Sequence, residues 1–410
     1  MARLIVLLGC LGLVVAGCSC PGKKEVAPVK GSFADDAAFL KKHTDVIVLS
    51  DESGKAQVAV CPGYQGRVMT SAAAGGDGLS FGWINREWVA ADKRDPHINV
   101  FGGEDRFWLG PEGGQFSIFF KKGDPFDLAH WHTPEAIDWC AYDIMSQGKA
   151  EIAFRKTFTL KNYSDFEFNV EVNRKVALYN ADGILKTLGI KSLGGAKAVG
   201  YFSDNKITNT GQAEWKKETG LLSIWILGMF TPTPQTTIVL PFKPGPVGQL
   251  GPIVNDAYFG KVPEDRLIIK DDVMFFKGDG KYRSKIGISP RRAKEIVGSY
   301  DAANGVLTLV KLTLPGATDY VNSMWEMQKA PYAGDAINSY NDGPPKPGAK
   351  PLGPFYELET SSPAAALKPG ASLSHVHSTF HIQGTEADLD PIAKAALGVS
   401  IAEIKAAFAK

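Results

Sequence analysis

The residues best equipped for chemistry lie close together between His97 and Phe120. Two glycine pairs, Gly102-Gly103 and Gly113-Gly114, flank Glu104, Asp105, Arg106, Trp108 and Glu112. Glycine lets the backbone turn sharply or lets a ligand approach it closely. Carboxylates, a guanidinium and an indole beside such backbone can hold a polar ligand. Arg106, Trp108 and Glu112 are therefore candidate substrate-binding residues. The plainer expectation is a hairpin with solvated charges. It would have one strand at Arg106–Leu109, a turn at Gly110-Pro111-Glu112 and a second strand at Gln115–Phe120.

Asn338, Asn341 and Asp342 offer short polar groups of the kind that read sugar hydroxyls, although Asn and Asp also favour ordinary turns. His375, His377 and His381 alternate onto one strand face, and His-x-His on a strand can chelate a divalent metal. His130-x-His132 with Glu135 nearby is a second, incomplete set of ligand types. No metal and no cofactor is expected. A metal-dependent enzyme would need three of the seven histidines to converge. Asp256 and Arg266 sit in an aromatic-containing loop. The chain has no phosphate-binding P-loop, no Gly-x-Ser-x-Gly elbow and no dinucleotide fingerprint.

The elements that must position these residues are mostly strands. Segments Glu151 to Leu160, Phe166 to Val176, Thr237 to Phe242, Lys285 to Ile288 and Val306 to Leu314 all read as strands, as do Val46 to Val48 and Val58 to Val60. Phe166 to Arg174 alternates apolar and polar strictly, which predicts one buried and one open face. Turn signals recur at Asn162–Asp165, Asn180–Gly183, Lys243–Pro246, Gly278–Gly280 and Asn304-Gly305. No long helical pattern appears between Asp45 and Ile382. Phe33 to His43 is amphipathic, Leu389 to Ala396 is helical, and Ser400-Ile-Ala-Glu403 matches a capping box. Leu397, Ile401, Ile404 and Phe408 share one face, so the last helix is expected to pack on the domain. Gly343 to Pro354 reads as a long loop.

Composition agrees with a β-rich chain. There are 410 residues, with 44 Gly, 25 Pro, 22 Phe, 12 Tyr and 8 Trp. The 45 basic and 44 acidic residues balance, which removes the electrostatic case for a nucleic-acid partner. At the N-terminus Arg3 precedes an apolar run, Leu4 to Val15, too short to span a bilayer. Val15-Ala16-Gly17-Cys18 then resembles the lipobox of bacterial lipoproteins, which implies cleavage before Cys18 and its lipidation. Ser19 stands where an Asp would favour the inner membrane, so the expected location is the cell envelope at the bacterial outer membrane. Cys20, Cys61 and Cys140 match no zinc spacing. Cys61 and Cys140 could pair in an oxidising compartment.

One further set of motifs points to a family. Phe355-Tyr-Glu-Leu-Glu-Thr-Ser-Ser-Pro363 is followed by Leu367-Lys-Pro-Gly370 and Ser374-His-Val-His-Ser-Thr-Phe-His-Ile382. This resembles the C-terminal end of the galactose mutarotase-like (aldose 1-epimerase-like) superfamily. Gly102-Gly103 with Trp108 and Pro111-Glu112 resembles it too. Phe81-Gly-Trp-Ile-Asn85 and Asn338-Ser-Tyr-Asn-Asp-Gly343 are similar to segments of lipoprotein members. The resemblance implies an all-β fold, an antiparallel β-supersandwich with short terminal helices and a concave carbohydrate site. Together with the lipobox and the terminal helical patterns, the expected division is a signal peptide (1–17), a tether (18–32), the β domain (33–385) and a helical tail (386–410). The Leu-Glu-Thr match implies that Glu359 is the general base, with Glu357 on the same strand face able to replace it or bind a hydroxyl. The family's acid is a histidine, and His97 and His132 are the candidates for it.

These expectations add up to a lipid-anchored envelope protein that binds a mono- or oligosaccharide, in its enzymatic form an aldose epimerase. The alternative is a non-catalytic surface lipoprotein that binds glycan or protein. A membrane is expected as partner only through the lipid on Cys18.

Overall fold

The computed structural model describes residues 29–409, so the segment carrying Cys18 and Cys20 lies outside the described residues. Three antiparallel sheets make the fold. The five-stranded sheet holds, in spatial order, Ser284–Ile288, Ile337–Asn341, Tyr356–Ser361, Ser223–Phe230 and Arg106–Gly110. A ten-stranded sheet runs from Leu267–Lys270 at one edge to Asp143–Gln147 at the other. Its centre is formed by Val306–Leu312, Ser372–Gln383 and Lys197–Asn209. A three-stranded sheet holds Ile47–Ser50, Gln57–Cys61 and Arg67–Ala72. The two larger sheets share a core, in which Ile286, Ile337 and Leu358 of one meet Ile238, Val297 and Val310 of the other.

Side-chain alternation explains the layering. In Glu167–Leu178 the residues Phe168, Val170, Val172 and Val176 are buried, as expected from the sequence. Arg174 is buried on the same face, which the pattern alone would not predict. Its partner is Asp105, whose Oδ1 lies 2.6 Å from Arg174 Nη2 with both side chains fully enclosed.

Asp105 is the middle of three consecutive charged residues that are all buried. Glu104 accepts from the Ser71 amide at 2.6 Å and from the Tyr201 hydroxyl at 2.9 Å, and its Oε2 lies 3.0 Å from His381 Nε2. Arg106 donates to Glu357 at 2.5 Å. Glu104 and Asp105 thus join the three- and ten-stranded sheets, and Arg106 belongs to the five-stranded sheet. Gly103 makes this possible. Its φ is +113°, and a Cβ there would stand 2.8 Å from the Arg67 side chain.

The terminal helices are capped, with the box at Ser400 and Glu403 as the sequence predicts. Helix Phe33–Leu40 starts at Ser32, whose side chain accepts from the Asp35 amide, and it buries Phe33, Ala37 and Leu40. Helices Glu386–Leu397 and Ile401–Ala406 each open with a capping box. They bury Leu389, Ile392, Leu397, Ile401 and Ile404 against Val239, Leu307 and Phe380 of the ten-stranded sheet.

Other expectations fail: the turn at Asn180–Gly183 is the start of helix Ala181–Leu188. Gln115–Phe120 is not a strand. Ser117 Oγ donates to the Glu112 carbonyl and accepts from the Phe119 amide, so a local side-chain turn replaces the ladder. Nor are the charges of the 104–106 segment solvated. Cys61 and Cys140 are both free thiols.

Removing one member of a buried ion pair strands the other charge. Asp105→Ala should therefore lower the unfolding free energy by about 3–5 kcal/mol. Urea denaturation followed by tryptophan fluorescence would measure this, and a loss below about 1 kcal/mol would show that the pair contributes little.

Candidate functional site

Register decides which side chains of the five-stranded sheet face away from the core. Gly287 pairs with Asn338, Asn338 with Glu359, and Glu359 with Leu227. Lys285 pairs with Tyr340 and Tyr340 with Glu357. Paired residues share a face, and neighbours along a strand alternate. Glu357, Glu359, Lys285, Asn338 and Trp225 therefore form one polar surface. Thr360 points into the core instead, where its Oγ1 lies 2.8 Å from His375 Nε2 and 2.9 Å from His377 Nδ1. One step of alternation separates the carboxylates from both of these histidines.

A cleft of about 340 Å³, counting its open mouth, lies on this surface. Trp225, Tyr258, Lys285, Asp335, Asn338 and Ser223 are among its walls. Glu359 sits directly behind two of them. Its Oε2 accepts from Trp225 Nε1 and from Lys285 Nζ, each at 2.9 Å. Its Oε1 is buried without a partner. The Lys285 ammonium also lies 4.8 Å from the Trp225 ring centre and 5.5 Å from that of Tyr258. Burial opposes the charge on Lys285, but Glu359, Glu112 and Glu357 outweigh it and hold the ammonium above its usual range.

Across the cleft, Asp335 Oδ2 accepts from the Tyr258 hydroxyl at 2.6 Å and from Asn255 Nδ2 at 3.2 Å. Burial pushes this carboxyl up to about 6, against the pull of those two donors. Asn338 Nδ2 donates to the Tyr258 oxygen at 3.1 Å. Glu112, half-buried nearby, is pushed up to about 7 by burial, opposed by Lys285 and assisted by Glu359. Glu357 is raised by burial and pulled down by Arg106, and their short contact marks an ion pair.

The candidates from the sequence thus scatter. Glu357, Glu359, Asn338, Arg106 and Trp108 come together on the same face of the five-stranded sheet. Trp108 stands edge-on to Trp225, with ring centres 5.6 Å apart, and Arg106 is engaged by Glu357. Asn341 turns the other way and ties down Gly280 and Tyr282. Asp342 accepts from the Tyr340 hydroxyl and the Gly353 amide, the turn role. His97 and His132 stack on each other, ring centres 4.3 Å apart. Their Nδ1 atoms lie 2.7 Å and 2.8 Å from the carbonyls of Trp131 and Pro96. Neither ring is a wall of the cleft. His381 lies between Thr308 and Glu104 in the interior. Among the described residues no three His, Cys, Asp or Glu side chains converge as metal ligands.

Sequence reasoning missed Trp225, Tyr258 and Asp335 and gave Lys285 no role. Only Lys285 left a signal, as the one charged residue in an otherwise uncharged strand, Ser284–Ile288. The others depend on contacts between distant segments.

Aromatic walls, a carboxyl group bonded to Lys285 with one buried oxygen left without a donor, and a second carboxyl of raised pKa suit a hydroxylated ligand and proton transfer. The architecture is the antiparallel β-supersandwich that the resemblance to the galactose mutarotase-like superfamily implied. The chain belongs to a family of unknown function (DUF6786), whose model matches residues 31–408. Among solved structures it is similar to the Slr1438 protein of Synechocystis sp. PCC 6803, with 13% identity and a TM-score of 0.50 over 83% of this chain and 96% of that one. It is also similar to a galactose mutarotase-like protein from Lactobacillus casei, with 11% identity and a TM-score of 0.47 over 83% and 100% of the two chains. A galactose mutarotase related enzyme from Lactobacillus acidophilus has 9% identity and a TM-score of 0.45 over 82% and 97%. At these identities the likeness is one of fold. No curated protein matches the chain significantly.

Proposed function

We propose that this protein binds carbohydrate in the Trp225–Lys285–Asp335 cleft and interconverts the anomers of an aldose there. The observation that carries this reading is Glu359, a buried carboxylate with one oxygen held by Trp225 and Lys285 and the other left without a donor. A buried acceptor without a partner is costly, and a sugar hydroxyl would supply the missing hydrogen bond. The Leu-Glu-Thr motif around Glu359 supports the same assignment. Glu359 takes the proton of the anomeric hydroxyl, and Trp225 offers a flat apolar face to the ring. We also propose that lipid on Cys18 tethers the protein in the bacterial envelope. Cys18→Ser should then lose fatty-acid label in growing cells, and persistent label would reject the anchor.

Two observations favour the binding-only alternative. Glu359 is fully enclosed and no histidine lines the cleft. Proton NMR of the full-length protein in detergent, with fresh α-glucose or α-galactose, separates the two readings. The enzymatic reading predicts faster anomer equilibration, reduced at least ~100-fold in Glu359→Gln. Saturation transfer to the sugar without faster equilibration would leave a binding module. Neither effect with either sugar would remove simple hexoses as ligands.

A further inference from the structure

Mutarotation needs a proton donor facing the base, and no histidine occupies that position. We infer that Asp335 is the general acid of this site, held by Tyr258 and Asn255 opposite Glu359. This assignment rests on the epimerase reading above.

Position is the first argument. Asp335 is itself a wall of the cleft. Its Oδ2 takes hydrogen bonds from Tyr258 and Asn255. Oδ2 overhangs Gly287, where an added Cβ would stand only 1.9 Å from it. Gly287 is aligned with Asn338 and Asn338 with Glu359. The backbone of Gly287, beneath Oδ2, is therefore two interstrand spacings, about 10 Å, from that of Glu359. A pyranose ring lying over Asn338 would place one carboxyl on each side.

Environment is the second argument. Glu359 is paired with an ammonium and an indole N–H. Asp335 has no cation bonded to it, and burial favours its protonated form. Two carboxyl groups with opposed surroundings divide the roles of base and acid. Glu357 is excluded by its ion pair with Arg106.

The step balances without a co-reactant. Glu359 Oε1 takes the proton from O1, and the O1–H electrons form the C1=O1 bond. The C1–O5 bond breaks, its electron pair goes to O5, and Asp335 Oδ1 delivers a proton to O5. Rotation about C1–C2 and the reverse steps return both protons and close the ring on the other face.

The test is the pH profile of anomer equilibration, with full-length protein in detergent and fresh α-glucose and α-galactose. The acid must be protonated, so the rate should fall as pH rises through about 6. Asp335→Asn should lose at least ~100-fold with its thermal midpoint and sugar saturation transfer retained, and Asp335→Glu should recover part of the rate. Tyr258→Phe removes a donor that stabilises ionised Asp335, so the falling limb should move to higher pH. A merely structural role for Asp335 would not move that limb. Acceleration that survives Asp335→Asn but not Glu359→Gln overturns this assignment alone. A limb abolished by Glu112→Gln and unmoved in Tyr258→Phe gives the role to Glu112 instead. A wild-type protein without acceleration overturns both the epimerase reading and this one.

Discussion

Three adjacent charged side chains, Glu104, Asp105 and Arg106, run through the interior, and much of the structure answers to them. A buried charge is tolerated only when it is paired and hydrogen-bonded. Each of the three finds its partner in a different strand: Tyr201 and His381 for Glu104, Arg174 for Asp105, Glu357 for Arg106. These bonds restrict how the sheets can sit relative to one another, because a shift of any sheet would strand a charge. Apolar contacts are less demanding, since hydrophobic burial is not directional.

The site inherits that restriction. Arg106 bonds Glu357, and Glu357 lies two residues from Glu359 on the same face of the same strand. The central carboxylate is thereby fixed from one side by the interior ionic chain and from the other by Lys285 and Trp225. Alternation on this one strand also sorts the chemistry. Glu359 lies on the cleft side of the strand, enclosed behind Trp225 and Lys285, while Thr360 takes His375 and His377 into the core, where burial depresses both imidazoles to about 3 and about 4. They remain neutral there at any ordinary pH, which suits packing and not proton transfer.

Much of the fold was legible because its signals are local. The capping Ser400 and Glu403, the alternation from Phe168 to Val172 and the turn at Asn304-Gly305 each act within a few residues. Glu359 was singled out through its motif, and its contacts with Trp225 and Lys285 come from other strands. The strand expected at Gln115–Phe120 was not formed, because Ser117 satisfies its neighbours' backbone groups itself. The uniformly buried strand Ser223–Phe230 carries no alternation that would mark Trp225 as facing a cleft. Asp335 and Tyr258 meet across 77 positions of chain, a separation that no spacing rule reads. The burial of Arg174 is equally non-local, since it requires Asp105 from another segment.

The most direct test of this account is a crystal structure of the protein soaked with galactose or glucose. The account predicts one pyranose ring against Trp225, with a hydroxyl donating to Glu359 Oε1 and the ring spanning the space between Glu359 and Asp335. A sugar bound at the His97–His132 stack with the Trp225 cleft empty would contradict it.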